Sequence, residues 1–210
     1  MVKIKVCGVT NEADALYAVD RGAWALGFIF YKKSPRYVAP AKAKRIIKQL
    51  PPFVTPVGVF VNEKGSVVKK VAEECGLQAI QLHGDESPAY CKRLKGFKII
   101  KAFRMEPGEA KGESTLAKTR PYPVDAYLLD TFKAGTFGGT GQTFNWDVIK
   151  GKTFKKNIIL SGGLNPYNVA DAIKAVKPYA VDVSNGVEER PGKKSKKLLQ
   201  QFFARIRSQK

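Results

Sequence analysis

Eight short apolar runs alternate with longer helical stretches along the 210 residues, and this alternation constrains the fold most strongly. The runs are KIKVC (3–7), WALGFIF (24–30), VTPVGVFV (54–61), LQAIQL (77–82), KIIKAF (98–103), AYLLD (126–130), NIIL (157–160) and YAVDV (179–183). Strand–helix alternation favours parallel strands joined by right-handed crossovers. Eight units over this length give about 26 residues per unit, close to the size of a βαβ unit. We therefore predict an α/β fold, a (β/α)8 TIM barrel formed by a single domain over residues 1–210.

The stretches between the runs carry helix signals. Amphipathic patterns occur at 11–22, 64–76 and 193–206. Ser87 and Asn165 each precede a proline, which is typical of an N-cap followed by the first helical residue. Gly22 and Gly76 stand just after helical patterns, where a C′ glycine ends a helix.

An open doubly wound sheet is the alternative fold for such an alternating chain. That fold would favour a glycine-rich fingerprint after the first strand. The sequence there, CGVTNEAD, is not G-x-G-x-x-G, which favours the closed barrel.

Composition narrows the class of protein. Hydrophobic residues make up 44% of the chain, enough for a large core. The three cysteines fit no zinc-ligand spacing and indicate a reduced, cytoplasmic setting. No signal peptide and no apolar stretch long enough to span a bilayer are visible, so we expect no membrane association.

The chain is strongly basic, with 37 Lys and Arg against 18 Asp and Glu and a net charge of +19. This balance favours anionic partners, among them nucleic acids and phosphorylated metabolites. The basic residues are spread along the chain, apart from KKSKK at 193–197, and spread lysines usually form a solvated face. Charge alone therefore does not indicate nucleic-acid binding.

Active sites of (β/α)8 barrels lie at the carboxyl ends of the strands. Cys7 ends the first run and Asp130 the sixth, so both are candidates for chemistry at that face. Because free cysteines are often inert core residues, Cys7 on its own can be a small filler or a working thiol.

Glycine-rich loops follow the last two strands, where this fold usually binds phosphate. In LSGGLNP, Gly162 and Gly163 allow backbone N–H groups to approach an anion closely. The segment DVSNGVE (182–188) has small polar residues followed by Gly186 and favours the same chemistry. Two ordinary tight turns are the alternative.

Three further features lie near predicted strand ends. Residues 133–146 contain four glycines without the GK[ST] of a P-loop, which favours a mobile lid over a nucleotide loop. Arg36 follows the second strand and suits a carboxylate ligand. His83, the only histidine, follows the fourth strand and by itself is more often structural than catalytic.

Taken together, these motifs resemble the phosphoribosylanthranilate isomerase family of tryptophan biosynthesis. The matching segments are KVCGVT, GFIFYKKSPRYV, VGVFVN, IQLHGDE, LLDT, GGTGQTFNW, LSGGLNPYNV and VDVSNGVE, in the family's order and over nearly the whole chain. The resemblance implies an Amadori rearrangement of N-(5′-phosphoribosyl)anthranilate to 1-(2-carboxyphenylamino)-1-deoxyribulose 5-phosphate. It implies no cofactor and no metal.

The family's general base falls on Cys7 and its general acid on Asp130. An unperturbed thiol has a pKa of ~8.5 and an aspartate ~3.9, so both would have to shift toward neutrality. By the same resemblance Arg36 would hold the anthranilate carboxylate. The residues expected to bind phosphate through backbone N–H groups are Gly163, Ser184, Asn185 and Gly186. His83 and Asp182 would lie near the substrate.

Two positions depart from the family's pattern. Asn185 stands where the family has a second serine, which a backbone phosphate contact tolerates and a hydroxyl contact does not. Ser195 replaces an aspartate before the last helix and can still cap it.

Two other functions stay open on the residues alone. The sugar-phosphate isomerase of histidine biosynthesis performs the same rearrangement on a related barrel, but Cys7 stands where that enzyme has aspartate. A basic barrel that binds nucleic acid would show salt-sensitive binding and would not need Cys7 or Asp130. We expect a phosphorylated small molecule as the partner, no nucleic acid, and a monomer or homodimer.

Overall fold

The computed structural model describes residues 2–105, 117–131 and 146–208. Within them eight parallel strands close into a barrel in chain order, and β1 pairs with β8 to complete it. The strands are β1 (Lys3–Cys7), β2 (Ala25–Ile29), β3 (Thr55–Phe60), β4 (Ala79–Leu82), β5 (Lys98–Met105), β6 (Ala126–Thr131), β7 (Asn157–Leu160) and β8 (Ala180–Val183). All eight predicted runs form strands, which confirms the (β/α)8 barrel over the open sheet.

Helices cover the outside of the barrel. Those with fully described bounds are α1 (Glu12–Asp20), α2 (Pro40–Ile47), α3 (Gly65–Cys75), α4 (Pro88–Lys92), α5 (Val169–Val176) and α6 (Lys196–Arg207). No helix among the described residues is both long and apolar enough to cross a membrane.

Most of the predicted helix ends are confirmed. The Ser87 hydroxyl accepts a hydrogen bond from Tyr90 N at the start of α4. Gly76, at φ +70°, ends α3 in the left-handed conformation, which costs glycine little. Ser195 caps α6 by accepting from Leu198 N.

The predicted helix start at Asn165 is wrong. The Asn165 side chain accepts from Tyr167 N in a local turn, and α5 begins only at Val169. An asparagine side chain can bond its own backbone two residues on, and such a turn competes with an N-cap for the same residue.

Alternation along each strand sorts side chains into two layers. In β1, Ile4 and Val6 point out to the large core between barrel and helices, whereas Lys5 and Cys7 belong to the opposite face. The barrel interior has a separate apolar cluster of small and branched residues: Val57, Ala79, Ile100, Ala102, Ala126, Leu128, Ile159 and Ala180. Polar side chains buried nearer the strand ends lie between this cluster and the mouth of the barrel.

A short hairpin extends the chain after β8. Its strands are β9 (Glu188–Arg190) and β10 (Lys193–Lys194), paired antiparallel. The predicted helix at 193–206 therefore starts later, because its first residues form β10. Lys194 is 1% exposed, so this part of the basic KKSKK segment is buried and not a solvated face.

Candidate active site

A cavity of about 420 Å³ opens at the carboxyl ends of the strands. Nine of the ten predicted site residues line it: Cys7, Arg36, His83, Asp130, Gly162, Gly163, Asp182, Ser184 and Asn185. The tenth, Gly186, follows the lining residue Asn185 and does not itself line the cavity. A Cβ atom there would fall 1.9 Å from the carbonyl oxygen of Leu164, so glycine lets the loops after β7 and β8 pack together.

Asp130 ends β6 and belongs to a buried hydrogen-bonded chain. Its Oδ2 lies 3.0 Å from Nε2 of His83, and Nδ1 of that ring lies 2.9 Å from Nε2 of Gln81. In this orientation of the Gln81 amide its nitrogen donates to Nδ1, which places the ring proton of His83 on Nε2, towards Asp130. Oε1 of Gln81 is buried and has no hydrogen-bond partner within the described residues.

Cys7 ends β1 and is buried beside an ion pair. Nζ of Lys5 lies 2.8 Å from Oδ1 of Asp182, and both side chains are almost fully buried. Burial raises the pKa of the Cys7 thiol, while the ammonium of Lys5 acts to lower it and the Asp182 carboxylate to raise it. Burial also acts to lower the pKa of Lys5, but Asp182 and Cys7 outweigh it and leave that pKa raised.

Arg36 lies at the cavity wall and is held by the hairpin after β8. Its Nε is 3.0 Å from both carboxylate oxygens of Glu188, and its Nη2 is 2.7 Å from Oε2. Lys194 reaches the same carboxylate at 2.9 Å and donates to the carbonyl oxygens of Cys7 and Ser184. Burial lowers the pKa of Lys194, against the opposing effect of Glu188. This network fixes Arg36 relative to the ends of β1 and β8.

The glycine loops after β7 and β8 form one side of the cavity. Gly162 and Gly163 both have positive φ, at +89° and +63°. A Cβ atom on Gly162 would lie 2.2 Å from Oγ1 of Thr131, so glycine allows this loop to approach the end of β6. Residues 185–187 form a single 3₁₀ turn directly after Ser184. Residues of both loops line the same cavity, at the strand ends where the sequence predicts a phosphate site.

Sequence reasoning missed, among others, four polar residues that contact the predicted site residues: Lys5, Gln81, Glu188 and Lys194. A usable signal existed for two of them. Lys5 precedes Cys7 by two residues and Gln81 precedes His83 by two, so strand alternation places each pair on one face. Glu188 and Lys194 carry no such signal, since their contacts depend on the hairpin's path.

The predicted lid at 133–146 lies outside the described residues except for Trp146, which begins a 3₁₀ turn. Among the residues that the structure describes, no group of three or more His, Cys, Asp or Glu side chains is placed to hold a metal ion.

The closed barrel, with ionisable side chains of four strands gathered round one cavity at its carboxyl end, defines a (β/α)8-barrel enzyme. A family model described as N-(5′-phosphoribosyl)anthranilate isomerase matches residues 4–205. The protein named N-(5′-phosphoribosyl)anthranilate isomerase from Pelobacter propionicus is 49% identical over 203 residues, which cover 97% of this chain and 94% of that one. The chain therefore belongs to the N-(5′-phosphoribosyl)anthranilate isomerase family.

Solved structures agree with this assignment. The crystal structure of phosphoribosyl anthranilate isomerase from Thermotoga maritima is 43% identical, covers 99% of this chain and 100% of its own, and superposes with a TM-score of 0.89. Another solved structure is a phosphoribosyl anthranilate isomerase in complex with reduced 1-(o-carboxyphenylamino)-1-deoxyribulose 5-phosphate. It is 40% identical, with the same coverage of both chains and a TM-score of 0.85.

Proposed function

We propose that this chain converts N-(5′-phosphoribosyl)anthranilate to 1-(2-carboxyphenylamino)-1-deoxyribulose 5-phosphate in tryptophan biosynthesis, with Asp130 as general acid and Cys7 as general base. One observation carries the assignment of roles. Cys7 and Asp130 come from different strands and line one cavity, together with both glycine loops. An acid and a base on a shared cavity are what a proton-transfer isomerisation requires.

The first step needs a protonated Asp130, which would donate to the ribose ring oxygen as the C1′–O bond breaks and a Schiff base forms. The Gln81–His83 chain offers a way to hold that proton. If the Gln81 amide rotates by half a turn, its Oε1 accepts a hydrogen bond from Nδ1–H of His83. Nε2 of His83 then carries no proton and can accept a hydrogen bond from the protonated carboxyl group of Asp130. The unpartnered Oε1 of Gln81 and the 3.0 Å contact between Nε2 and Oδ2 support this arrangement.

The second step needs the Cys7 thiolate, which would remove the proton from C2′ and leave an enolamine. The enolamine then gains a proton at C1′ and loses the proton of its 2′-hydroxyl to become the ketone, so no electrons leave the substrate and no cofactor or metal enters the proposal. The position of Cys7 at the cavity, beside Lys5, supports this role.

Substrate binding would use the two ends of the cavity. With Nε and one hydrogen of Nη2 directed to Glu188, Arg36 keeps Nη1 and the other Nη2 hydrogen for the anthranilate carboxylate. Backbone N–H groups of Gly163, Ser184, Asn185 and Gly186 would hold the phosphate. A backbone contact accommodates Asn185, since it does not use a hydroxyl.

His83 and Asp182 would act next to the substrate through Asp130 and Lys5 respectively. We retain one domain over residues 1–210, and a monomer or homodimer, as predictions.

The direct test is to incubate the folded protein with freshly prepared N-(5′-phosphoribosyl)anthranilate and follow the loss of its fluorescence. We expect enzyme-dependent loss for the wild type and a kcat lower by about 10² or more for Asp130→Asn, the scale of a lost general acid. If the folded wild-type protein does not accelerate the loss of substrate fluorescence, the isomerase proposal is wrong. Normal turnover by Asp130→Asn would remove only the acid's assignment.

A further inference from the structure

Lys5 is a buried lysine whose position in β1 ties it to Cys7. Both side chains point to the same face of the strand because they are two residues apart. The Lys5 side chain is 4% exposed and its ammonium lies 2.8 Å from Asp182 on the neighbouring strand β8. Burying a lysine ammonium costs desolvation free energy unless the ammonium is paired. The Asp182 carboxylate supplies that pairing and stabilises a positive charge at this position.

Gly27 shows how close the ammonium and the thiol are. It lies directly opposite Cys7 in the register of β1 and β2. A Cβ atom on Gly27 would lie 2.7 Å from Sγ of Cys7 and 3.1 Å from Nζ of Lys5. Both groups therefore border the same small space over the backbone of β2, and only glycine leaves that space to them.

We propose that Lys5 is a positioning residue for Cys7: its ammonium, fixed by Asp182, stabilises the Cys7 thiolate inside the barrel. The proposal rests on the role of Cys7 as general base given above. It assigns to the Lys5–Asp182 pair a function beyond holding β1 to β8.

The physical need for such a group follows from the burial of Cys7. A thiolate at a buried cysteine loses most of its hydration, which disfavours ionisation, and the Asp182 carboxylate disfavours it further. A lysine ammonium at hydrogen-bond range is the group that offsets both effects. Removing the charge of Lys5 while keeping Asp182 would leave the thiol harder to ionise than before.

Other charged groups also face this region, and each has a different placement. Lys194 donates to the backbone carbonyl of Cys7 and is the second positive charge that favours the thiolate. The remaining ionisable groups on the cavity wall are Tyr31, Lys33, Arg36, His83 and Asp130. Lys5 is the leading positive charge that acts to lower the pKa of Cys7, ahead of Lys194.

The test measures the ionisation of Cys7 without substrate. In a Cys75→Ala/Cys91→Ala background Cys7 is the only thiol, and its alkylation by iodoacetamide can be followed by mass spectrometry across neutral and alkaline pH. The midpoint of the rate profile reports the thiol pKa and the plateau reports access. Lys5→Met and Lys5→Gln remove the charge with a long apolar or a polar side chain. Lys101→Met/Glu86→Gln, a matched change at another buried pair, is the control.

We expect both Lys5 variants to raise the midpoint by about one pH unit or more, so that alkylation below the midpoint slows by about tenfold or more. The control should keep the background midpoint. An unchanged or lowered midpoint in a folded Lys5 variant overturns the proposal, as does an equal shift in the control. The effect of Lys5 on Cys7 and the proposed isomerase activity are tested separately. A raised midpoint in the Lys5 variants, together with a wild-type protein that does not turn over phosphoribosylanthranilate, would support the stabilisation of the Cys7 thiolate by Lys5 and refute the proposed function.

Discussion

Two buried lysine–carboxylate pairs lie on different sides of the barrel, and their surroundings differ sharply. Lys5 pairs with Asp182 at 2.8 Å, where β1 meets β8, and Lys101 of β5 pairs with Glu86 at 3.1 Å, beyond the end of β4. The ammonium of Lys101 also donates to three backbone carbonyls, and Glu86 accepts from the backbone of Gly84. The Lys101 pair is thus closed within the protein, whereas Asp182 lines the cavity.

Each pair also has a cysteine beside it. Cys7 lies next to Lys5 and lines the cavity, while Cys91 lies in α4 within the core between barrel and helices. Burial raises the pKa of Cys91 to about 11, with Lys101 opposing and Glu86 reinforcing the rise. Residue types and burial are therefore alike on the two sides. The two cysteines differ in access, since Cys7 lines the cavity and Cys91 does not.

The largest effect that this comparison predicts is on stability. Lys101→Met removes the donor to Glu86 and to three carbonyls, and leaves a buried carboxylate without its cation. We expect the free energy of unfolding to fall by about 3–5 kcal/mol, the range for breaking a buried ion pair. Lys5→Met should cost less, because Asp182 borders the cavity and water can reach it. Urea unfolding of the two variants against wild type measures both losses.

Equal losses in the two variants would contradict the distinction between a closed pair and one that borders the cavity. A larger loss of stability for Lys5→Met than for Lys101→Met would contradict it too, and would mean that the Lys5–Asp182 pair between β1 and β8 contributes more to stability.

A smaller effect concerns alkaline pH. Because the pKa of Cys91 is raised in the folded state, the unfolded chain ionises first as the pH rises. The stability that this thiol contributes is complete below its unfolded pKa of about 8.5 and is lost by the folded value of about 11. We therefore expect the free energy of unfolding to fall less steeply between these pH values in Cys91→Ala than in wild type.

Denaturant unfolding at a series of pH values checks this difference. The remaining buried thiols and tyrosines titrate in both proteins, so they cancel in the comparison. Parallel pH profiles for the two proteins would mean that Cys91 ionises alike in the folded and unfolded chain.

Much of this architecture could be predicted from the order of residues. Strand alternation and strand-end position sufficed to place Cys7, Asp130 and the glycine loops at one end of a barrel, because closing parallel strands brings their carboxyl ends together. The same alternation could have placed Lys5 beside Cys7, but a lysine is usually read as solvated.

The ties between distant segments could not be predicted in this way. Arg36 and Glu188 lie 152 residues apart, and their contact follows from how the hairpin after β8 folds back over the end of β1. Nothing in local propensity or spacing reports such a path. The later start of α5 has a different cause. The Asn165 side chain accepts a hydrogen bond from Tyr167 N in a local turn and therefore does not cap a helix.

The most direct test of the account compares two cysteines in the same assay. Cys7→Ala and Cys91→Ala each remove a buried thiol that lies next to a lysine–carboxylate pair. With N-(5′-phosphoribosyl)anthranilate as substrate, we predict that kcat falls by about 10² or more in Cys7→Ala, as for a lost general base, and stays near wild type in Cys91→Ala. Wild-type turnover by a folded Cys7→Ala variant, or equal losses in both, would contradict the assignment of Cys7 as the base.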